Sequence, residues 1–377
     1  MRIFYACPET PHQGCLPSSQ IWHNNLYLPL RDLGHELVRF AFDFRLFNEY
    51  QDPDNPQHAA FIAEHRPRLS EELVRQVGQA HRREPLDLFF SYFYSSYVLP
   101  EAIREIRDLG IVTMNWYCNA SYQFHLIEEI APAFDYCLVP EKFRLEDYRR
   151  VGARPIYCQE AANPQIYKPA DVPQPYDVTF VGQRYGTRPL LIGRLITAGV
   201  DARVWGPKWR EQSRTGLRAA AYRVRMWRRG RPWRDTLEVP RDRCGPPLDD
   251  EELIRMYSRS RISLGFTAVA ELPRDGSPAV KQVRLRDFEA TMSGAFYLVE
   301  AFDELAEFFE PDREIVFFHD ADDLVDKARY YLRHEEEREQ IRQAGLRRAR
   351  AEHTWQARFR RVLREVGLAA GTLRCAG

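Results

Sequence analysis

Apolar residues along this chain fall into short continuous runs separated by amphipathic stretches. Leu86–Tyr92 is the plainest run, apolar and aromatic on both faces, as expected of a strand buried inside a parallel sheet. Arg2–Cys7, Leu37–Phe42, Ile111–Trp116 and Tyr136–Val139 predict further strands. Between them the pattern lengthens to a helical period. It covers Ile21–Leu33 closed by Gly34, Pro56–Arg83 interrupted at Pro67, Pro100–Leu109 capped by Gly110, a weaker Tyr122–Ala131, and Glu141–Val151 ended by Gly152. This rhythm predicts β-α-β units and a parallel, doubly wound sheet.

The rhythm pauses at Ala162–Pro175, which holds four prolines, and restarts with a strand at Asp177–Val181. The second half predicts helix Gly186–Ala198, strand Ala202–Trp205, helix Asp249–Ser258, strands Ile262–Phe266, Ala295–Val299 and Ile315–Phe318, and helix Asp322–Leu332. Glu335–Arg350 is highly charged, with acid-then-base spacing that suits exposed i,i+4 pairs, and Trp355–Val366 predicts a last helix. The expected organisation is an α/β chain of two facing Rossmann-like domains, 1–165 and 176–350, joined by a hinge at 166–175. A C-terminal helix at 351–377 is expected to pack back toward the N-terminal domain. Ligands belong at the carboxyl ends of the strands, in the cleft between the domains.

Length and composition change this picture little. A chain of 377 residues suits two domains. Lys plus Arg equals Asp plus Glu at 54 each, so no global charge favours nucleic acid. No apolar run has the length of a membrane helix, and the first residues lack a signal-peptide core, so a cytoplasmic protein is expected. The seven cysteines form no C-x-x-C pair, which suits buried thiols in a reducing compartment.

Candidate chemistry concentrates in Lys281–Glu300. Basic groups at Lys281, Arg284 and Arg286 precede a short helix that Gly294 ends, and a helix N-terminus beside cations favours a phosphate. Glu289, one turn further on, suits sugar hydroxyls instead. Phosphate and ribose together describe a nucleotide sugar. Asp249-Asp250 and Asp322-Asp323 open helices and serve as dipole partners, so no required metal is expected. Lys208–Arg234 holds ten basic residues and one acid on an amphipathic pattern. It is a candidate for peripheral contact with an anionic membrane surface at the inner face, or for an anionic acceptor.

The run RLRDFEATMSGAFYLVE, the F-x-P-x-x-E turn, the Y-Y-L helix end and the final H-T-W-x-x-R occur in one order. Together they resemble the C-terminal half of CgeB-like glycosyltransferases, GT-B enzymes related to glycosyltransferase family 4. The resemblance covers about Pro175 to Leu363 and implies a transferase that moves a sugar from a nucleoside-diphosphate sugar, metal-independent and retaining. It implies that Gly182 and Arg184 form the glycine-and-basic loop of the donor domain, that Arg184 and Arg188 reach the donor phosphates, and that Lys281 or Arg286 supplies a second basic contact. It also implies that Glu289 holds the ribose. The family's earlier glutamate falls at Gln282 and is missing.

Acceptor-side candidates are His12 and Gly14 in the loop after the first strand, and Asn119 and Tyr122 after the fourth. His12 and Asn119 are the catalytic candidates, with Glu9 and Glu128 as further bases for an inverting reaction. The acceptor class stays open among glycan, lipid, protein and small molecule. A nucleotide-sugar epimerase on the same fold, and a non-catalytic nucleotide-sugar-binding protein, are the competing readings. Trp205–Trp209 is the candidate for base recognition.

Overall fold

The computed structural model describes residues 1–8, 19–47, 49–212, 220–222, 224–225, 228, 237–269 and 280–368. The chain divides into two units. One comprises Met1–Asn163 with the chain from Trp355 onward, the other Pro164–Glu271 with Lys281–Thr354.

The first unit holds a six-stranded sheet in the order β2-β1-β3-β4-β5-β6. Its strands are β1 Arg2–Ala6, β2 Glu36–Arg39, β3 Leu88–Ser91, β4 Val112–Trp116, β5 Tyr136–Val139 and β6 Pro155–Tyr157. Every neighbouring pair is parallel. The core is aromatic, with Phe4, Phe89, Phe90, Phe93, Trp116 and Tyr117 almost fully buried. Helix Trp355–Glu365 closes this core, its Trp355 ring meeting Trp116 edge-on at 5.1 Å.

The second unit repeats the plan with order β12-β11-β10-β7-β8-β9. Here β7 is Tyr176–Val181, β8 Ala202–Trp205, β9 Cys244–Gly245, β10 Ser260–Gly265, β11 Tyr297–Glu300 and β12 Val316–Phe318. Again all pairs are parallel. Val178, Phe180, Ile262, Leu264, Phe296, Leu298 and Val316 fill its core. The proline-rich residues 164–175 belong to this unit, with Tyr167 buried. Among the described residues no helix is long and apolar enough to cross a membrane.

Several elements differ from the sequence pattern, each for a local reason. Pro67 does not interrupt the Pro56–Arg83 helix, because Ile62, Leu69, Leu73 and Val77 bury one continuous stripe across it. The expected helix Tyr122–Ala131 is instead a short helix, Ala120–Gln123, followed by separate 3-10 turns at Phe124–Leu126 and Ala131–Ala133. There the Leu126 carbonyl accepts from Ser95 N at 2.7 Å rather than from a helical partner. Strand β6 begins with a proline and lies at the sheet edge, where a missing N–H costs nothing. Strand β9 has two residues, too few to leave a pattern.

In helix Glu335–Glu352 an i,i+4 pair does form, Arg348–Glu352, but base first; the acid-first pairs are i,i+3, Glu335–Arg338 and Glu339–Arg342. The arginines are drawn aside by carbonyls, Arg338 to Tyr331 O and Arg342 to Gly294 O. Asp249 caps helix Asp250–Arg259 as expected, accepting from Glu252 N at 2.8 Å.

Gly345 in this helix tests the packing. Alanine at a helical glycine ordinarily adds about 1 kcal/mol of stability. Here a Cβ would stand 2.3 Å from Glu314 O, so Gly345→Ala should instead cost about 1–3 kcal/mol. A urea melt showing Gly345→Ala equal to or above wild type would contradict this packing.

Candidate functional site

In each sheet the strand order reverses at one place, and in open parallel sheets ligands bind beyond the carboxyl ends of the strands there. In the second unit that place lies between β7 and β10. Strand β7 runs into the loop Gly182–Thr187 and helix Arg188–Thr197, and β10 runs into Phe266–Ala268. Helix Leu285–Met292 follows in the chain, and its Arg286 reaches back to the β7 loop.

Arg188 is 4% exposed. Its guanidinium lies 3.6 Å from the Tyr185 ring centre and 5.1 Å from that of Phe180. It donates to Gln183 O at 2.9 Å and to the Tyr185 hydroxyl. Its Nε finds no hydrogen-bond partner, and among the described residues no carboxylate pairs with it. Burial, with Arg284 and Arg286 as cationic neighbours, pushes its pKa down to about 9. A buried cation held by rings and carbonyls is a costly arrangement unless an anion completes it.

Arg286 sits against the β7 loop. A Cβ on Gly182 would stand 2.9 Å from Arg286 Nη1 and 2.7 Å from the Phe180 ring, so only glycine permits this approach. Arg286 Nε donates to the Tyr257 hydroxyl at 3.3 Å. Burial opposes its charge, but Tyr257 and Glu289 beside it more than offset this and raise its pKa. Glu289 is buried, on the same helix as Arg286. Arg284 is the residue before that helix. Its Nη2 donates to Ala268 O at 2.8 Å, and its Nε is buried with no hydrogen-bond partner.

Asp287 holds this arrangement together. Its carboxylate accepts from Arg284 N at 2.8 Å, capping the helix, and from the Tyr297 hydroxyl at 2.8 Å. Burial lifts its pKa to about 6, against the hydrogen bonds and cations that stabilise its charge.

Other sequence candidates are engaged elsewhere. Arg184 pairs with Glu238 at 2.7 Å and donates to Gln212 Oε1 at 2.9 Å. Lys281 pairs with Glu300 at 3.1 Å and donates to Ala301 O. That same Glu300 accepts from Thr267 N and Ala268 N, fixing the loop after β10. Trp209 is fully buried, and its Nε1 donates to Gly182 O at 2.6 Å, so it shapes the loop and offers no face to a base.

The sheet of the first unit reverses between β1 and β3. His12 and Gly14 lie outside the described residues, as do Glu9 and most of Lys208–Arg234. Asn119 and Tyr122 are half-buried, three or more residues beyond the end of β4, while Glu128 is exposed. Asn115 is spoken for: its side chain accepts from Ser91 Oγ and Phe93 N, both at 2.8 Å, and donates to Phe93 O. Sequence reasoning passed over the buried Tyr92, Tyr94, Tyr117 and Cys118 at these strand ends, where Tyr92 OH lies 3.4 Å from Cys118 Sγ. The described cysteines are all buried free thiols.

Comparison with known proteins bears on this geometry. Residues 188–364 match a family model described as glycosyl transferase-like. Sucrose-phosphate synthase from Thermosynechococcus elongatus superposes with a TM-score of 0.59 at 13% identity, over 97% of this chain and 99% of that one. Anabaena HepE, solved in complex with UDP-glucose, gives 0.56 at 11% identity over 97% and 99%. The fold is GT-B. A putative UDP-N-acetylglucosamine 2-epimerase from Listeria monocytogenes gives 0.50 at 12% identity over 93% and 94%. A search of curated proteins found no match. The chain thus carries a glycosyltransferase-like domain, and the guanidinium groups at the reversal point of its second sheet lie in or beside that domain.

Two outcomes are expected. Arg188→Met should leave the unliganded melting temperature equal to or above wild type, because a buried unpaired charge is removed. It should also abolish most of the stabilisation that millimolar pyrophosphate gives. A lowered unliganded melting temperature with an undiminished pyrophosphate shift would show Arg188 to be structural only.

The second outcome concerns pH. A carboxyl whose folded pKa is raised stabilises the fold fully below its unfolded value near 4 and loses that contribution as pH rises through about 6. Across that window Asp287 should cost wild type about 3 kcal/mol that Asp287→Asn does not lose. Parallel stability-against-pH curves for the two proteins would contradict this.

Proposed function

We propose that this protein is a CgeB-like, metal-independent and retaining glycosyltransferase of the hexosyltransferase type, using a nucleoside-diphosphate sugar. The observation that carries the reading is the buried guanidinium group of Arg188, which pairs with no carboxylate among the described residues, beside Arg286 at the strand ends of the glycosyltransferase-like domain. The departing diphosphate takes on negative charge as the bond from the anomeric carbon to its oxygen breaks. Cations already fixed around it stabilise that charge without reorganising, and they supply what a metal would otherwise provide. The acceptor hydroxyl forms the new bond to the anomeric carbon, and its proton passes to the departing phosphate oxygen. Retention follows when the acceptor approaches on the face the phosphate leaves.

Glu289, buried beside Arg286, takes the ribose hydroxyls in this reading. Arg184 joins the phosphates by exchanging its Glu238 partner for the ligand. Lys281 acts through Glu300, holding the loop Thr267–Ala268. Asn119 and Tyr122, with His12 and Gly14, remain the acceptor-side candidates. Support comes from the domain match and from HepE, which has this fold and was solved with UDP-glucose.

The test is incubation with UDP-, GDP- and ADP-sugars, with and without EDTA. The proposal expects slow release of free sugar that EDTA does not stop and that Arg286→Ala reduces at least tenfold. An isomeric nucleotide sugar would identify an epimerase, and tight binding without turnover a binding protein.

A further inference from the structure

A cavity of the second unit lies away from the strand ends. Its volume is about 630 Å³, and Asp326, Lys327, Arg329, Tyr330 and Arg333 of helix Ala321–Arg333 line it. Arg329 fixes its place in the fold. Its Nη2 donates to Ala198 O at the end of helix Arg188–Thr197. That helix has ten residues, so Ala198 stands about 15 Å along its axis from Arg188. The cavity is therefore separate from the donor site.

Tyr330 is a fixed platform beside this space. Its ring is 40% exposed, yet His334 stacks on it at 3.8 Å and its hydroxyl donates to Glu337 at 2.8 Å. The rotamer freedom an exposed ring normally keeps is already given up here, which lowers the cost of binding against it. The polar groups around it divide into matched and unmatched. Lys327 pairs with Asp323 at 3.1 Å and donates to Phe317 O at 2.6 Å, so it serves strand β12. Arg333 Nε donates to Arg329 O at 3.1 Å. Among the described residues neither Arg329 nor Arg333 pairs with a carboxylate, and Asp326 pairs with no cation. Cations in the last turn of a helix are ordinary partners of its dipole. A dipole partner does not require a locked aromatic ring, a carboxylate on the same cavity and a space of ligand size.

These groups together have the chemistry of an acidic sugar. An aromatic ring covers the apolar C–H face of a pyranose, guanidinium groups hold a carboxylate by two parallel bonds, and a carboxylate accepts from hydroxyls. We propose that this cavity is a second saccharide site, holding a uronic-acid residue of a glycan with its ring on Tyr330, its carboxylate on Arg329 and Arg333, and its hydroxyls on Asp326. The site binds without catalysing, and it stands whether or not the donor-site reading holds.

The measurement is calorimetric titration of the full chain with trigalacturonate, with maltotriose as the neutral sugar and inorganic sulfate as the anion without a sugar. Wild type is expected to bind trigalacturonate about tenfold or more tighter than either. Tyr330→Leu removes the ring and keeps an apolar side chain, and Arg333→Gln removes the charge and keeps a helix-forming residue. Each is expected to lose about tenfold or more in affinity for trigalacturonate. Both positions are exposed, so the variants are expected to melt within a few degrees of wild type. Saturating pyrophosphate, the probe of the donor site, is expected to leave the trigalacturonate affinity unchanged. The proposal is overturned if wild type binds trigalacturonate no better than maltotriose, if both variants bind it as wild type does, or if pyrophosphate displaces it. Sulfate bound as tightly as trigalacturonate, with Tyr330→Leu unaffected, would show a bare anion site and overturn the saccharide role.

Discussion

Positive charge that the fold does not neutralise is the constraint around which the second unit is arranged. Arg188 is buried, and among the described residues it meets rings, a carbonyl and a hydroxyl and pairs with no carboxylate. Arg284 and Arg286 lie close enough to lower its pKa further. Removing such a charge from water is unfavourable by several kcal/mol unless something restores the lost solvation. The protein keeps the arrangement and sets the helix start Leu285 and the narrow Gly182 loop around it.

The supporting residues act by fixing positions. Asp287 ties the start of the helix to Tyr297 on β11. Glu300 at the end of the same strand grips the two N–H groups that follow β10 and neutralises Lys281. Trp209 pins the Gly182 carbonyl from the other side. Asp287 and Glu300 are thus committed to backbone groups and to Lys281, and Glu238 to Arg184, and among the described residues no carboxylate pairs with Arg188. Preorganised cations suit a reaction in which charge appears on a leaving group, because their orientation is already set when the bond breaks.

Much of this was legible in the sequence, and the exceptions are instructive. Parallel strands announce themselves as continuous apolar runs, so β3, β5 and β8 stand where the pattern places them. Edge strands β6 and β9 do not, since a proline and a two-residue pairing leave no period. Arg188, Arg286 and Glu289 were visible as candidate chemistry along the chain. Their partners were not: Tyr257 meets Arg286 from a helix 29 positions earlier, and Glu300 claims Lys281 from 19 positions later. Charge alone made Arg184 and Lys281 equal to Arg188 as candidates. Only burial and pairing separate them, since two are matched by carboxylates and one is not.

The most direct measurement is a crystal structure of the protein soaked with UDP, GDP or ADP. The account predicts diphosphate density against Arg188 and Arg286, within hydrogen-bonding distance of Arg188 Nε, with the ribose toward Glu289. A nucleotide bound elsewhere, with these arginines unmoved and untouched, would contradict it.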